Sequence, residues 1–102
     1  MAAVAGVRTA HATLSGTTVD TVTLSGTATV VTVINRAAAG GTDMWVTFST
    51  TSTVPADPVA EADETYWVPA GGGFKTFSDP GGGCIIKILG NGNAYSVEGD
   101  WS

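Results

Sequence analysis

His11, Cys84 and the acidic run Asp57, Glu61, Asp63 and Glu64 are the side chains with the most chemistry to offer, and each lacks obvious help. His11 is the single histidine and lies away in sequence from any acidic cluster, so a Ser-His-Asp or Cys-His nucleophile would have to be built on it alone. Cys84 is the single cysteine and can form no intramolecular disulfide. Its setting in Cys84-Ile-Ile-Lys-Ile-Leu89 predicts a small buried core residue, because a reactive thiolate needs cationic or helix-terminal neighbours. One His and one Cys cannot complete a zinc site without carboxylate help. The four acids could present oxygens to Ca²⁺. Their spacing lacks the alternation and glycine of an EF-hand loop, so a solvated acidic loop is expected. The glycine runs at 71–73 and 81–83 carry neither the Lys-Ser/Thr nor the GxGxxG pattern of a phosphate cradle, and they predict hairpin turns. No catalytic residue, metal site or cofactor follows from these residues, and an enzyme would need His11 or the acidic loop to be catalytic.

The elements that must carry these side chains are strands. Val19 to Asn35 reads VDTVTLSGTATVVTVIN, an almost one-for-one exchange of apolar and hydroxyl-bearing residues. Period two puts Val22, Leu24, Ala28 and Val30 on one face and Thr23, Ser25, Thr27 and Thr29 on the other, as a half-buried strand requires. The alternation slips at Val30-Val31, after which Val31 and Val33 hold the apolar phase. That slip predicts a bulge or a strand buried on both faces. Further strands are expected over 43–49, with Met44, Val46 and Phe48 on one face, and over 65–69, 74–78, 84–89 and 94–98. Thr50 to Glu64 has two prolines and four acids without periodicity and predicts a long surface loop. Gly-Asn-Gly-Asn at 90–93 predicts a hairpin, since both residue types tolerate positive φ. Residues 1–12 are Ala-rich and weakly patterned and predict an extended N-terminal arm, leaving 13–102 as the folded domain. Thr13 to Thr17 recurs as Thr23 to Thr27, too short a duplication for a solenoid.

With turn signals at roughly ten-residue spacing, the expectation is an all-β fold, a single antiparallel β-sandwich or jelly-roll-like domain. The 16 threonines and 12 valines agree, because β-branched side chains suit a pleated surface. The length of 102 residues allows one core. A hydrophobic fraction of 43% excludes general disorder. Arg8, Arg36, Lys75 and Lys87 are the only cations on a chain of net charge −5, which argues against nucleic acid as partner. No apolar run reaches the roughly 18 residues of a membrane span, so no membrane partner is expected. The first residues lack a basic segment followed by a continuous apolar one, so a protein made in a cytoplasm and not exported by the standard route is expected.

What remains is surface. Met44-Trp45-Val46, Tyr66-Trp67-Val68 and Ile85-Ile86 are apolar on both faces, whereas a simple solvated sheet keeps one face polar. A covering loop or second sheet would account for Trp45 and Trp67, and a protein partner is the alternative, because aromatic residues concentrate at interface centres. Trp101 poses the same choice between its own domain and a neighbour.

The Thr/Val strand ending Val31-Thr-Val-Ile-Asn-Arg36, the strand Met44-Trp-Val-Thr-Phe-Ser49, the acidic Pro-containing loop, Tyr66-Trp-Val-Pro-Ala-Gly-Gly72 and Ala94-Tyr-Ser-Val-Glu98 together resemble small β-sandwich virion proteins of tailed bacteriophages, most of all capsid decoration proteins. The resemblance spans about residues 13–98. It implies a non-enzymatic protein on the outer surface of the virion, bound to the major capsid protein lattice and often trimeric, stabilising the shell by many linked contacts. On that reading the interface would include Val4, Val7 and Arg8 of the arm, acting as a strap, together with Trp45, Tyr66, Trp67 and Trp101. The alternative is a phage tail or fibre component, or a carbohydrate-binding module using its aromatics as a sugar platform.

Overall fold

The computed structural model describes residues 2–26, 29–50, 53–78 and 83–100. Within them the chain forms nine strands and no helix: β1 Ala2–Gly6, β2 Thr9–Thr13, β3 Asp20–Leu24, β4 Val30–Asn35, β5 Met44–Thr50, β6 Tyr66–Val68, β7 Phe74–Ser78, β8 Cys84–Leu89 and β9 Ala94–Asp100. They make two sheets, one in the order β1-β3-β8-β5-β6 and the other β2-β9-β4-β7, which pack into the expected all-β sandwich. Pairing is antiparallel apart from β1, which lies parallel to β3.

The chain changes sheet at nearly every connection. The segment 19–35 is therefore not one strand. β3 belongs to the first sheet and β4 to the second, and the slip read at Val30-Val31 marks the resumption of the strand after the crossing. Crossing lets Val22 and Leu24 enter the core from one side and Val31 and Val33 from the other. Gly-Asn-Gly-Asn is likewise no hairpin, because β8 and β9 sit in opposite sheets. Among the described strands only β5 and β6 are neighbours both in sequence and in a sheet.

The extended arm expected over residues 1–12 is corrected too. β1 is an edge of the first sheet and β2 an edge of the second, and the chain passes between them at Val7-Arg8. Small residues make this possible. A side chain at Gly6 would collide with the Thr9 carbonyl, so only glycine allows the tight passage. The backbone there is fixed by Ser25 N–H donating to the Gly6 carbonyl, Gly26 N–H to Val7 and Gly99 N–H to Arg8.

Met44, Val46, Val68, Ile86 and Ile88 from the first sheet meet Val31, Val33, Tyr95 and Val97 from the second, all fully buried. Phe48 stacks on Phe77 across the sandwich with ring centroids 4.4 Å apart. Cys84 is buried among them, as expected. Burial of this kind contributes roughly 1.5–3 kcal/mol per large aliphatic side chain. Polar groups also lie inside this apolar layer. Asn35 and Asn93 stitch the connections together: Asn35 Nδ2 donates to the Thr42 and Val68 carbonyls, and its Oδ1 accepts from Asn93 Nδ2 at 3.0 Å and from the Ala37 N–H. Asn93 Oδ1 accepts the Asn91 N–H, a local turn contact that leaves its Nδ2 free to bond Asn35 at the end of β4. Elsewhere Tyr95 donates its hydroxyl to Asp20 Oδ2 at 2.7 Å. Burial first, then the hydrogen bond and negative charge of Asp20, push the Tyr95 phenol well above its ordinary value.

Candidate functional site

The outward face of the first sheet explains the doubly apolar segments. In β5 and β6 Met44, Val46 and Val68 point inward, while Trp45 and Trp67 stand opposite each other on the outer face, with Leu89 beyond Trp45. In β8 Ile86 is inward and Ile85 outward, yet Ile85 is only 8% exposed. The chain between β5 and β6 lies over this face. Thr47 Oγ1 donates to the Ala56 carbonyl at 2.6 Å, Lys87 Nζ pairs with Asp57 at 2.7 Å, and Pro58 is buried. A covering loop thus accounts for Ile85 and for the half-buried Trp45. It does not reach across Trp67, which is 56% exposed.

Trp67 is nonetheless held in place. Its Nε1–H donates to Asp43 Oδ2 at 3.0 Å, and Asp43 Oδ1 accepts the Ala70 N–H at 3.0 Å. These two donors, the backbone one first, hold the Asp43 carboxyl below its ordinary value of 3.8 and keep it ionised. Asp43, Trp45, Glu61 and Trp67 line an open hollow of about 510 Å³. Glu61 takes a left-handed backbone conformation, φ 62°, uncommon for a residue with a side chain. The rings supply a polarisable apolar wall and the carboxylates a negative rim. A second hollow of about 350 Å³ lies between the loop and β5–β6, with Thr47, Phe48 and Tyr66 on one side and Asp57, Asp63 and Glu64 on the other. Among the described residues no group of three or more His, Cys, Asp or Glu is placed to hold a metal ion.

The interface residues expected from the sequence do not converge. Trp45 and Trp67 share the hollow, but Tyr66 points the other way, edge-on to Phe77 at 5.1 Å with Lys75 Nζ over its ring at 4.8 Å. Val4 packs against the core, so it is not surface material for a strap. Val7 is 64% exposed and Arg8 exposed, at the opposite edge of the first sheet from β6. Trp101 lies outside the described residues. Sequence reasoning missed Asp43 as the partner of Trp67, and its one signal was a carboxylate immediately before a strand apolar on both faces. It also missed Ser96. His11 sits opposite Ser96 in the register of β2 and β9, with His11 Nδ1 and Ser96 Oγ 2.7 Å apart. This pair lies on the outer face of the second sheet with no carboxylate hydrogen-bonded to the histidine among the described residues. It therefore lacks the third group that would orient the base.

No protein-family model matches the chain. No curated protein matches it either. Among solved structures the chain is similar to PliG of Aeromonas hydrophila, a periplasmic lysozyme inhibitor of g-type lysozyme, with 15% identity and a TM-score of 0.49 over 94% of this chain and 92% of that one. The expected role in capsid decoration is corrected at this point: neither it nor its tail-fibre and sugar-binding alternatives finds support in any of these comparisons.

Proposed function

We propose that the chain is a non-catalytic binding domain that engages another protein through the outer face of β5 and β6, with Trp67 at the centre of the contact. The observation that carries this reading is the combination of exposure and fixation at Trp67: a ring 56% open to water is tied by its indole N–H to Asp43 on a two-stranded scaffold. An aromatic ring fixed before binding loses little freedom on association, and such rings dominate interface energetics. The half-buried Trp45 beside it widens the apolar centre, and the surrounding loop supplies a polar rim. The His11–Ser96 pair, in which Ser96 is buried and no carboxylate among the described residues orients the imidazole, supports the non-catalytic part of the reading.

Quantitative capture from the native source tests it, comparing the wild-type chain with Trp67→Ser and with Phe74→Ser, which alters an exposed ring on the second sheet. A protein retained by the wild type and by Phe74→Ser but weakened by roughly thirtyfold or more in Trp67→Ser is the expected result, since an anchor is worth about 2 kcal/mol or more. Loss in Phe74→Ser with retention in Trp67→Ser would move the contact to the other sheet. Sedimentation of the purified chain decides whether the partner is a second copy.

A further inference from the structure

We infer that the Trp45–Trp67 hollow takes an arginine side chain of a basic partner protein, an inference that rests on the protein-binding reading above and names the group recognised. Two indole rings from adjacent strands line the hollow together with the carboxylates of Asp43 and Glu61. Indole faces attract cations through the ring quadrupole, and a planar guanidinium can stack on them while its edge donates to carboxylates.

Charge complementarity selects a cation over a neutral group. Asp43 spends its oxygens on Trp67 and Ala70 and stays ionised, placing negative charge at the edge of one ring. Glu61 has no hydrogen-bond or ion-pair partner among the described residues, so its carboxylate is available at the rim. The chain's own cations are occupied elsewhere. Lys87 pairs with Asp57, Lys75 lies over Tyr66, and Arg36 donates to the Tyr95 carbonyl. Arg8 is at the far edge of the first sheet. An overall charge of −5 adds long-range attraction for a basic surface.

The test follows the indole N–H signals of the full chain by NMR while Nα-acetyl-arginine amide is added, with Nα-acetyl-citrulline amide as the neutral isostere. The expected result is a saturable shift of the Trp67 signal with the arginine compound, at least tenfold weaker binding of the citrulline compound, and at least threefold weaker arginine binding in Glu61→Gln. Glu61→Gln keeps the size of the side chain, and unchanged signals elsewhere show that it folds. Equal binding of citrulline, or no saturable shift with arginine, overturns the inference. If arginine fails to bind while Trp67→Ser still releases the captured protein, the cation is wrong and the protein-binding reading stands. If arginine binds as expected while Trp67→Ser leaves capture unchanged, the hollow's chemistry stands and the reading of its partner falls.

Discussion

The two sheets present outer faces built on opposite plans. On the second sheet the outward rows are Thr9, Glu98, Thr32 and Thr76, then His11, Ser96, Ile34 and Phe74, so mostly hydroxyls and charges face outward, with only Ser96 buried, and one apolar pair is left at the edge. On the first sheet Trp45, Trp67, Ile85 and Leu89 point outward, and the chain from residue 53 to residue 65 covers part of them. An outward apolar side chain needs an explanation only where nothing covers it. The first sheet therefore separates into a covered half around Ile85, which is structural, and an open half around Trp67, which is available for recognition.

Charge placed on each face gives the largest contrast. Ile85→Asp puts a carboxylate under the loop at a position 8% exposed, and should cost about 3 kcal/mol or more. Thr76→Asp, on the exposed edge strand of the uncovered face, should cost within about 0.5 kcal/mol. Urea unfolding midpoints measure both. Similar losses at the two positions would mean that the second sheet is covered as well and that the contrast between the faces is false.

Next in size is the fastening of the loop. Lys87 has a side chain only 12% exposed, whereas its partner Asp57 is 54% exposed. Asp57→Asn leaves a nearly buried ammonium without its counter-charge and should cost about 1–2 kcal/mol, while Lys87→Met removes the charge and keeps the packing, costing under about 0.5 kcal/mol. Thr47→Val strands the Ala56 carbonyl and should cost about 1 kcal/mol. Limited proteolysis of Asp57→Asn should cut first within 53–65, leaving β2, β4, β7 and β9 intact. Cutting elsewhere first would show that the loop is not held by these contacts.

Between the tryptophans the expected difference is smaller. Trp45→Ser should destabilise by about 1–2 kcal/mol because its ring is half buried, whereas Trp67→Ser should change the unfolding midpoint little. A large loss at Trp67 would make it a structural residue and remove the open half of the face from consideration as a binding surface.

Strand content was legible in the sequence because alternation is a property of one strand at a time. β7 and β8 end where the pattern ends, β9 runs two residues further to Asp100, and Val31, Val33, Met44 and Val46 point inward as their phase requires. Sheet membership was hidden, because alternation says which face is wet and nothing about which strand lies alongside. Hairpin logic at 90–93 failed because Asn93 looks like a turn residue and behaves as a buried cross-link to Asn35, 58 residues away. The first strands read as an arm because alanine and glycine have weak strand preference, and their place comes from β3 and β9. Trp67 stood out by type. Its partner Asp43 lies 24 residues earlier and could be assigned only once β5 and β6 were paired.

Acid sharpens the contrast further, because the open half of the first sheet depends on an ionised carboxylate. Asp43 is held below its ordinary value of 3.8 by the Ala70 and Trp67 donors, so the folded state binds fewer protons there than the unfolded chain. Its stabilising effect is present above the unfolded value and is lost as pH falls through the lower folded value. The indole signal of Trp67 should therefore hold steady through the ordinary aspartate range and shift only below 3.8, reversibly and before the core signals of Val33 and Val97 change. Asp43→Asn, which does not titrate, should abolish that step while leaving Trp45 nearly untouched. A Trp67 transition at the ordinary aspartate value would mean that the bond to Asp43 contributes nothing in solution. The ring would then be a mobile exposed side chain, and the fixation that sets it apart from Phe74 on the other sheet would be gone.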